Sequence, residues 1–389
     1  MVCKIRSDVS IERFEKTGPE IKSQSQPLLG STRPQVNPRR FRKRNTVNQQ
    51  SSTTPDLPSR MSALIVSHGP TAADSAFTEV ERSLPLIRPR DLLVRVEAVS
   101  VNPVDTKRRA GLSAGQTGLF GFDAAGTVVA VGSDVTSFAV GDDVYYAGDI
   151  TRDGTDADYH AVDERIVGHK PVTLDFAAAA ALPLTTITAW ESLFDKLRLD
   201  QSSAGVLLVV SGAGGVGSIL TQLARQLTGV TIVATASRPE SIEYATLMGA
   251  HHVVDHSTDL AAAVREVAPD GVRWIFSPQT ARHFDAYVDL LVPFGELATI
   301  DSSSQITSSK LVQTSITWHQ EWMFTRSKFE TPDMGEQGRL LETVARLVDD
   351  GRIVSTLTSR LDGFTPENLR RAHELVESGH SVGKVVVAR

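Results

Sequence analysis

Residues 206–217 read VLLVVSGAGGVG: a β-branched apolar run ending in Ser211, then Gly212, Gly214 and Gly217 at G-x-G-x-x-G spacing. A helix-like segment, SILTQLARQL (218–227), follows. Strand, glycine turn and helix in that order form the fingerprint of a dinucleotide-binding fold. Gly212 is expected to permit the tight turn, and Gly214 to keep side chains away from a pyrophosphate. Gly217 is expected to let the helix pack close to the strand. The loop residues Gly215 and Val216 open that helix, whose free N–H groups and positive dipole end suit phosphate.

Working outward, the chain alternates strand and helix on the C-terminal side. VTIVATA (230–236), HHVVD (251–255), VRWIFS (272–277), FGELATI (294–300) and SITWH (315–319) read as further strands. Helical segments such as PESIEYATLMG, LAAAVREVA and ARHFDAYVDLL lie between the earlier ones. Six strands with helical crossovers predict a doubly wound parallel sheet. On the N-terminal side, DLLVRVEAVSVN (91–102), AAGTVVAVGSDV (124–135) and DDVYYAGD (142–149) predict an antiparallel, barrel-like β domain. A helix over GEQGRLLETVARLVDDG, a strand RIVSTL (352–357), a helix over NLRRAHELVESG and a last strand GKVVVAR (383–389) suit a return to that domain. The fold class is α/β. The domains run 61–184, 185–322 and, for the return, 323–389. Residues 1–60 form a polar, Arg-containing extension without apolar periodicity, expected to be disordered. An upstream extension of the true start, a solvated tail or a targeting segment would each account for it, though Glu12, Glu15 and Glu20 weaken a mitochondrial presequence.

The composition excludes several classes. A net charge of −6 argues against general nucleic-acid binding. No apolar run reaches the ~20 residues that span a bilayer. Cys3 is the only cysteine, which rules out disulfides within the chain and thiolate zinc clusters, and suits a reducing, cytoplasmic setting.

Further motifs carry a family resemblance: SVNPVDTKRRAG (100–111), GFDAAGTVVAVG (121–132), ERIVGHKP (164–171), AALPLTTITAWESLF (180–194), GAHHVVDHS (249–257) and WMFTRSKF (322–329). In this order they resemble the medium-chain dehydrogenase/reductase superfamily. The likeness is strongest to its zinc-type alcohol dehydrogenase-like proteins, near the quinone oxidoreductases. It covers residues 61–389 and implies a GroES-like catalytic domain, a Rossmann domain and an active-site cleft between them. It also implies a homodimer joined through Rossmann edge strands. The sequence departs from the metal-dependent members, which carry a cysteine near Asp105, a His-Glu pair where Phe122-Asp123 stands, and another cysteine near LPLTT. Two aspartates alone make a poor zinc site, so no metal is expected.

The second strand of the sheet ends Ala234-Thr235-Ala236-Ser237-Arg238, without the carboxylate that would bind a ribose 2′-hydroxyl. Ser237 and Arg238 instead suit a 2′-phosphate, which predicts NADPH, although both also suit a helix start before Pro239. The resemblance places a ring at His256 near the adenine, and Lys384 near the cofactor; otherwise Lys384 is a surface lysine at a strand start.

The resemblance also supplies Asn102 as a hydrogen-bond donor facing the nicotinamide, where the residue type alone would suit a turn before Pro103. Thr185 and Thr188 are placed beside the nicotinamide ribose and carboxamide, with helix capping as their other role. Tyr145 and Tyr146 alternate along a strand, so at most one would reach the cleft as a proton donor, and a packed aromatic is the alternative. Asp105 is expected to anchor Lys107 or Arg108. The implied activity is NADPH-dependent, zinc-independent hydride transfer to a small molecule: a quinone, a conjugated enal or enone, or a reactive carbonyl. A non-catalytic NADPH sensor or scaffold is the alternative.

Overall fold

The computed structural model describes residues 57–301 and 308–389. The N-terminal extension expected over residues 1–60 lies outside them, apart from its last four positions. Strand β1 (Arg60–Ser67) pairs antiparallel with β2 (Phe77–Ser83). β3 (Asp91–Val101) is buried along almost its whole length, as its Val- and Leu-rich run requires. Helix α1 (Pro103–Ala110) begins where the ring of Pro103 presets a helical φ. Next come β4 (Thr117–Leu119), β5 (Asp123–Val131), β6 (Asp143–Ala147), β7 (Tyr159–Asp163) and β8 (Val167–His169). The chain crosses to the second domain through α2 (Phe176–Ala180), α3 (Pro183–Trp190) and a π-helical turn over Glu191–Lys196.

There β9 (Val206–Val209), α4 (Gly215–Leu227), β10 (Thr231–Thr235), α5 (Pro239–Leu247) and β11 (His252–Val254) form the first half of a doubly wound unit. The second half is α6 (Leu260–Val267), β12 (Val272–Ser277), α7 (Thr280–Leu290), β13 (Leu291–Thr299) and β14 (Thr317–Gln320). The strand order is β11-β10-β9-β12-β13-β14 and every pair is parallel. All six expected strands are present. The order reverses between β9 and β12, so the crevice beyond their carboxyl ends is the position for a ligand.

The return consists of α8 (Phe324–Lys328), α9 (Glu336–Asp349), β15 (Leu357–Asp362), α10 (Pro366–Glu377) and β16 (Lys384–Ala388). β16 pairs with β3, which completes the sheet β15-β16-β3-β5-β6-β8 with β7 also on β3. Its ladders are antiparallel except β15–β16, which is parallel. The expected strand RIVSTL forms only from Leu357. Arg352 and Ile353 spend their N–H groups on Leu347 O at the end of α9, Val354 donates to Gln222, and Ile353 plugs the core. One apolar cluster runs through both domains, joining Tyr145, Leu182, Ile187, Leu207, Ile219 and Val386. Among the described residues no helix is long and apolar enough to cross a membrane.

Candidate active site

The glycine turn has the expected form with one change. The left-handed residue is Ser211, at φ 59°, not Gly212. Gly212 is required instead because a Cβ there would come within 2.6 Å of the Ala234 side chain on the neighbouring strand. Gly217 is the tightest point: its Cβ would lie 2.3 Å from Ser211 O. Gly214 caps α4, and a Cβ there would meet only Ser211 O at 3.3 Å. The first-turn N–H groups of α4 therefore open onto the crevice beside Gly214, Gly215 and Val216.

The end of β10 lies beside the end of β11, since Ala236 N–H donates to Val254 O at 3.0 Å. Ser237 is exposed and Arg238 half-buried. The Arg238 guanidinium donates to His380 O at 2.7 Å and pairs with Glu240 at 2.8 Å. His256, half-buried, stands edge-on to His283 with ring centroids 6.3 Å apart. Burial, and then the charge of Arg282, hold its pKa below the ordinary histidine value. Ser237, Arg238 and His256 thus lie at the carboxyl end of the sheet, as does the glycine turn.

The other wall comes from the β domain. Asn102 precedes α1 and is buried; its Nδ2 donates to Asp123 at 2.7 Å and to Ser100 O at 3.2 Å. Its Oδ1 accepts from Lys384 Nζ at 2.6 Å. Both Nδ2 hydrogens are therefore engaged within the protein rather than turned toward a nicotinamide, so Asn102 orients its neighbours. Asp123 accepts Leu184 N–H at 2.7 Å through its second oxygen. Asp105 does not anchor Lys107 or Arg108. It accepts the backbone N–H of Asn102 at 2.8 Å and of Gly121 at 3.2 Å, while Arg108 reaches Ile150 O. Burial raises the Asp105 carboxyl to about 7. Burial also raises Asp123, a shift that Lys384 opposes, and it lowers Lys384 in turn. Asp156, fully buried with neither oxygen bonded, is pushed well up by burial and by Asp105.

The two walls meet at Lys384. A Cβ on Gly215 would come within 2.9 Å of Lys384 Cδ and 3.3 Å of Thr185 Cγ2. Gly383 N–H also donates to Ala213 O in the turn at 2.9 Å. Thr185 and Thr188 are buried inside α3 rather than capping it, their hydroxyls donating to Leu182 O and Leu184 O. The tyrosines do not reach the cleft. They point to opposite faces of β6 as alternation requires, but both faces are covered. Tyr145 donates to Leu341 O at 2.6 Å beneath α9, and Tyr146 bonds His160 at 3.1 Å in the barrel core. Burial raises both phenols above the ordinary tyrosine value, and with both side chains fully buried and bonded within the protein, neither faces the cleft as a proton donor. Sequence reasoning placed Asp123 only as an unsuitable metal ligand and missed Asp156 altogether. Asp156 lies among polar residues in GTDAD (154–158), where nothing local marks a buried carboxylate.

Two family descriptions match the chain: an alcohol dehydrogenase GroES-like domain over residues 88–175 and a zinc-binding dehydrogenase over residues 215–336. A zinc-type alcohol dehydrogenase-like protein of Staphylococcus aureus (strain MSSA476) is 39% identical over 80% of this chain and 94% of its own length. The NADPH-dependent alkenal/one oxidoreductase of Arabidopsis thaliana, chloroplastic, is 29% identical over 78% of this chain and 73% of its own. A crystal structure from Rhizobium etli CFN 42, named among zinc-dependent alcohol dehydrogenases, superimposes with a TM-score of 0.81. It is 48% identical and covers 85% of this chain and 98% of its own.

The donor set does not fit the zinc those names imply. Zinc favours nitrogen and sulfur ligands, and Phe122 stands beside Asp123 where an imidazole would be needed. Asp105 and Asp123 already spend their oxygens on backbone N–H groups, Asn102 and Lys384. Among the described residues no group of three or more His, Cys, Asp or Glu side chains is arranged to hold a metal.

Proposed function

The chain belongs to the medium-chain dehydrogenase/reductase superfamily, and from that premise we propose that it is an NADPH-dependent, zinc-independent reductase of electron-poor acceptors. The acceptor classes are quinones, conjugated enals or enones, and reactive carbonyls. One observation carries the reading: the glycine turn and the Asn102–Asp123 wall meet at Lys384, so a dinucleotide on α4 would present its reactive ring to that wall.

NADPH, when bound, supplies the hydride. The α4 N-terminus with Gly214, Gly215 and Val216 would hold the pyrophosphate. Arg238 would exchange Glu240 and His380 O for the 2′-phosphate, forming a charge-assisted pair, with Ser237 beside it. Thr185, next to Gly215, and Thr188, one turn on, would border the nicotinamide end. Asn102 keeps the wall in one geometry through its three bonds. Quinone or C=C reduction is favoured over alcohol oxidation because an alkoxide is normally stabilised by a metal that this donor set does not suit. The protein is proposed to act as a homodimer through the edge strand β14. The edge position would leave that strand free to pair.

The test is oxidation of NADPH by the purified protein with an ortho-quinone and, separately, a conjugated enal. A chelator-treated sample and an NADH control run in parallel. The expected result is turnover that survives the chelator and prefers NADPH. Turnover abolished by the chelator would overturn zinc independence. NADPH binding without turnover on either acceptor would favour a sensor.

A further inference from the structure

The wall beneath the cleft is acidic and closed. Asp105, Asp123 and Asp156 are all buried, and such carboxylates need a positive charge to remain ionised. The cation inside this wall is an ammonium. Lys384 is 3% exposed, and its Nζ lies 2.6 Å from Asn102 Oδ1, 3.0 Å from Val101 O and 3.5 Å from Asp123 Oδ2. An ammonium has three N–H donors and here it meets three oxygens. Burial lowers its pKa while Asp123 and Asp105 hold it up. The stem is fixed as well, since it lies against Gly215, where the missing side chain leaves room for it.

We propose that Lys384 is the resident cation of this wall, a tethered ammonium that takes a metal's place among the oxygens, positions Asn102 and Asp123, and keeps divalent cations out. It is a positioning residue: it acts on the cleft through Asn102 and Asp123. The proposal goes beyond hydride transfer and does not depend on the identity of the acceptor. Its chemistry follows from the oxygens, which suit a hard cation or an ammonium and lack the nitrogen and sulfur that zinc prefers.

The test uses the full chain, with Zn²⁺ and Mn²⁺ as metal probes and ethylammonium as a detached side chain. Wild-type protein dialysed against zinc is expected to retain less than about 0.1 equivalent. K384M, which fills the space without the charge, is expected to melt roughly 5 °C or more below wild type. D123N also melts lower, and the D123N/K384M double variant loses less than the sum of the two. K384A is expected to regain melting temperature as ethylammonium or Mn²⁺ is added, with no response from wild type or K384M. A purely packing role for Lys384 would give no such rescue. Stoichiometric zinc on wild type that D123N loses would overturn the proposal, and this arm needs no Lys384 variant to fold. A K384M protein as stable as wild type, strictly additive losses, or a K384A protein that neither cation restores would also overturn it.

Discussion

The glycine turn and the wall that faces it are both built from buried polar groups, yet they are assembled differently. The turn draws on residues 211–217, with one neighbour on β10: Gly212 answers to a clash with Ala234 one strand away, and Gly217 to clashes with Ser211 and Gly212 within the turn itself. The wall brings together positions 102, 105, 123, 156 and 384 from two strands, a helix and two loops. A local device is robust because backbone geometry enforces it. A non-local device is electrostatic, and its balance depends on every member.

Gly214→Asp tests the local side most severely. The fold has room for a side chain there, so the damage falls on the anion. NADPH affinity is expected to fall by about 100-fold or more, ~2.7 kcal/mol, in a fluorescence titration, with little change in melting temperature. An unchanged Kd would reject the phosphate assignment. Gly217→Ala should act through stability instead, because its Cβ would collide with Ser211 O at 2.3 Å. Denaturant unfolding should record a loss of ~2–4 kcal/mol. An unshifted midpoint would mean the turn can relax.

On the electrostatic side, Asp156→Asn should make the protein less sensitive to pH. Burial and Asp105 raise the folded pKa of Asp156 above its unfolded value. The folded state therefore binds the extra proton, and stability drains away as pH rises from the ordinary carboxylate range toward the folded pKa. The variant removes that titration, so melting curves between about pH 5 and about pH 8 should be flatter than wild type, with stability gained at the upper end. Parallel curves would contradict this. The smallest effect is expected for Tyr145→Phe: a loss of ~1 kcal/mol from the Leu341 bond, and turnover unaltered. A fall in turnover of about 100-fold would restore the phenol as an acid.

Much of the fold was legible because it is periodic. The β-branched runs and the glycine spacing locate all six parallel strands, and the antiparallel ladder follows from alternation in residues 91–147. RIVSTL misled because β-branched composition cannot distinguish a strand from a core plug: Ile353 is buried, but its N–H closes a helix end. The tyrosines misled for a related reason. Alternation assigns opposite faces, but says nothing of what covers each face, and here α9 covers one and the barrel core the other. Asp105 illustrates the limit at short range: neighbouring cations offered charge partners, while burial made two backbone N–H groups its partners instead.

The sequence by itself determined the glycine turn and the parallel sheet, because those rest on local sterics and periodicity. Only the tertiary structure decided which polar side chains are already spent, that Tyr145 and Tyr146 are sealed away, and that Lys384 closes the wall 282 positions from Asn102. Burial and charge pairing are set by three-dimensional neighbours, and no spacing along the chain records them.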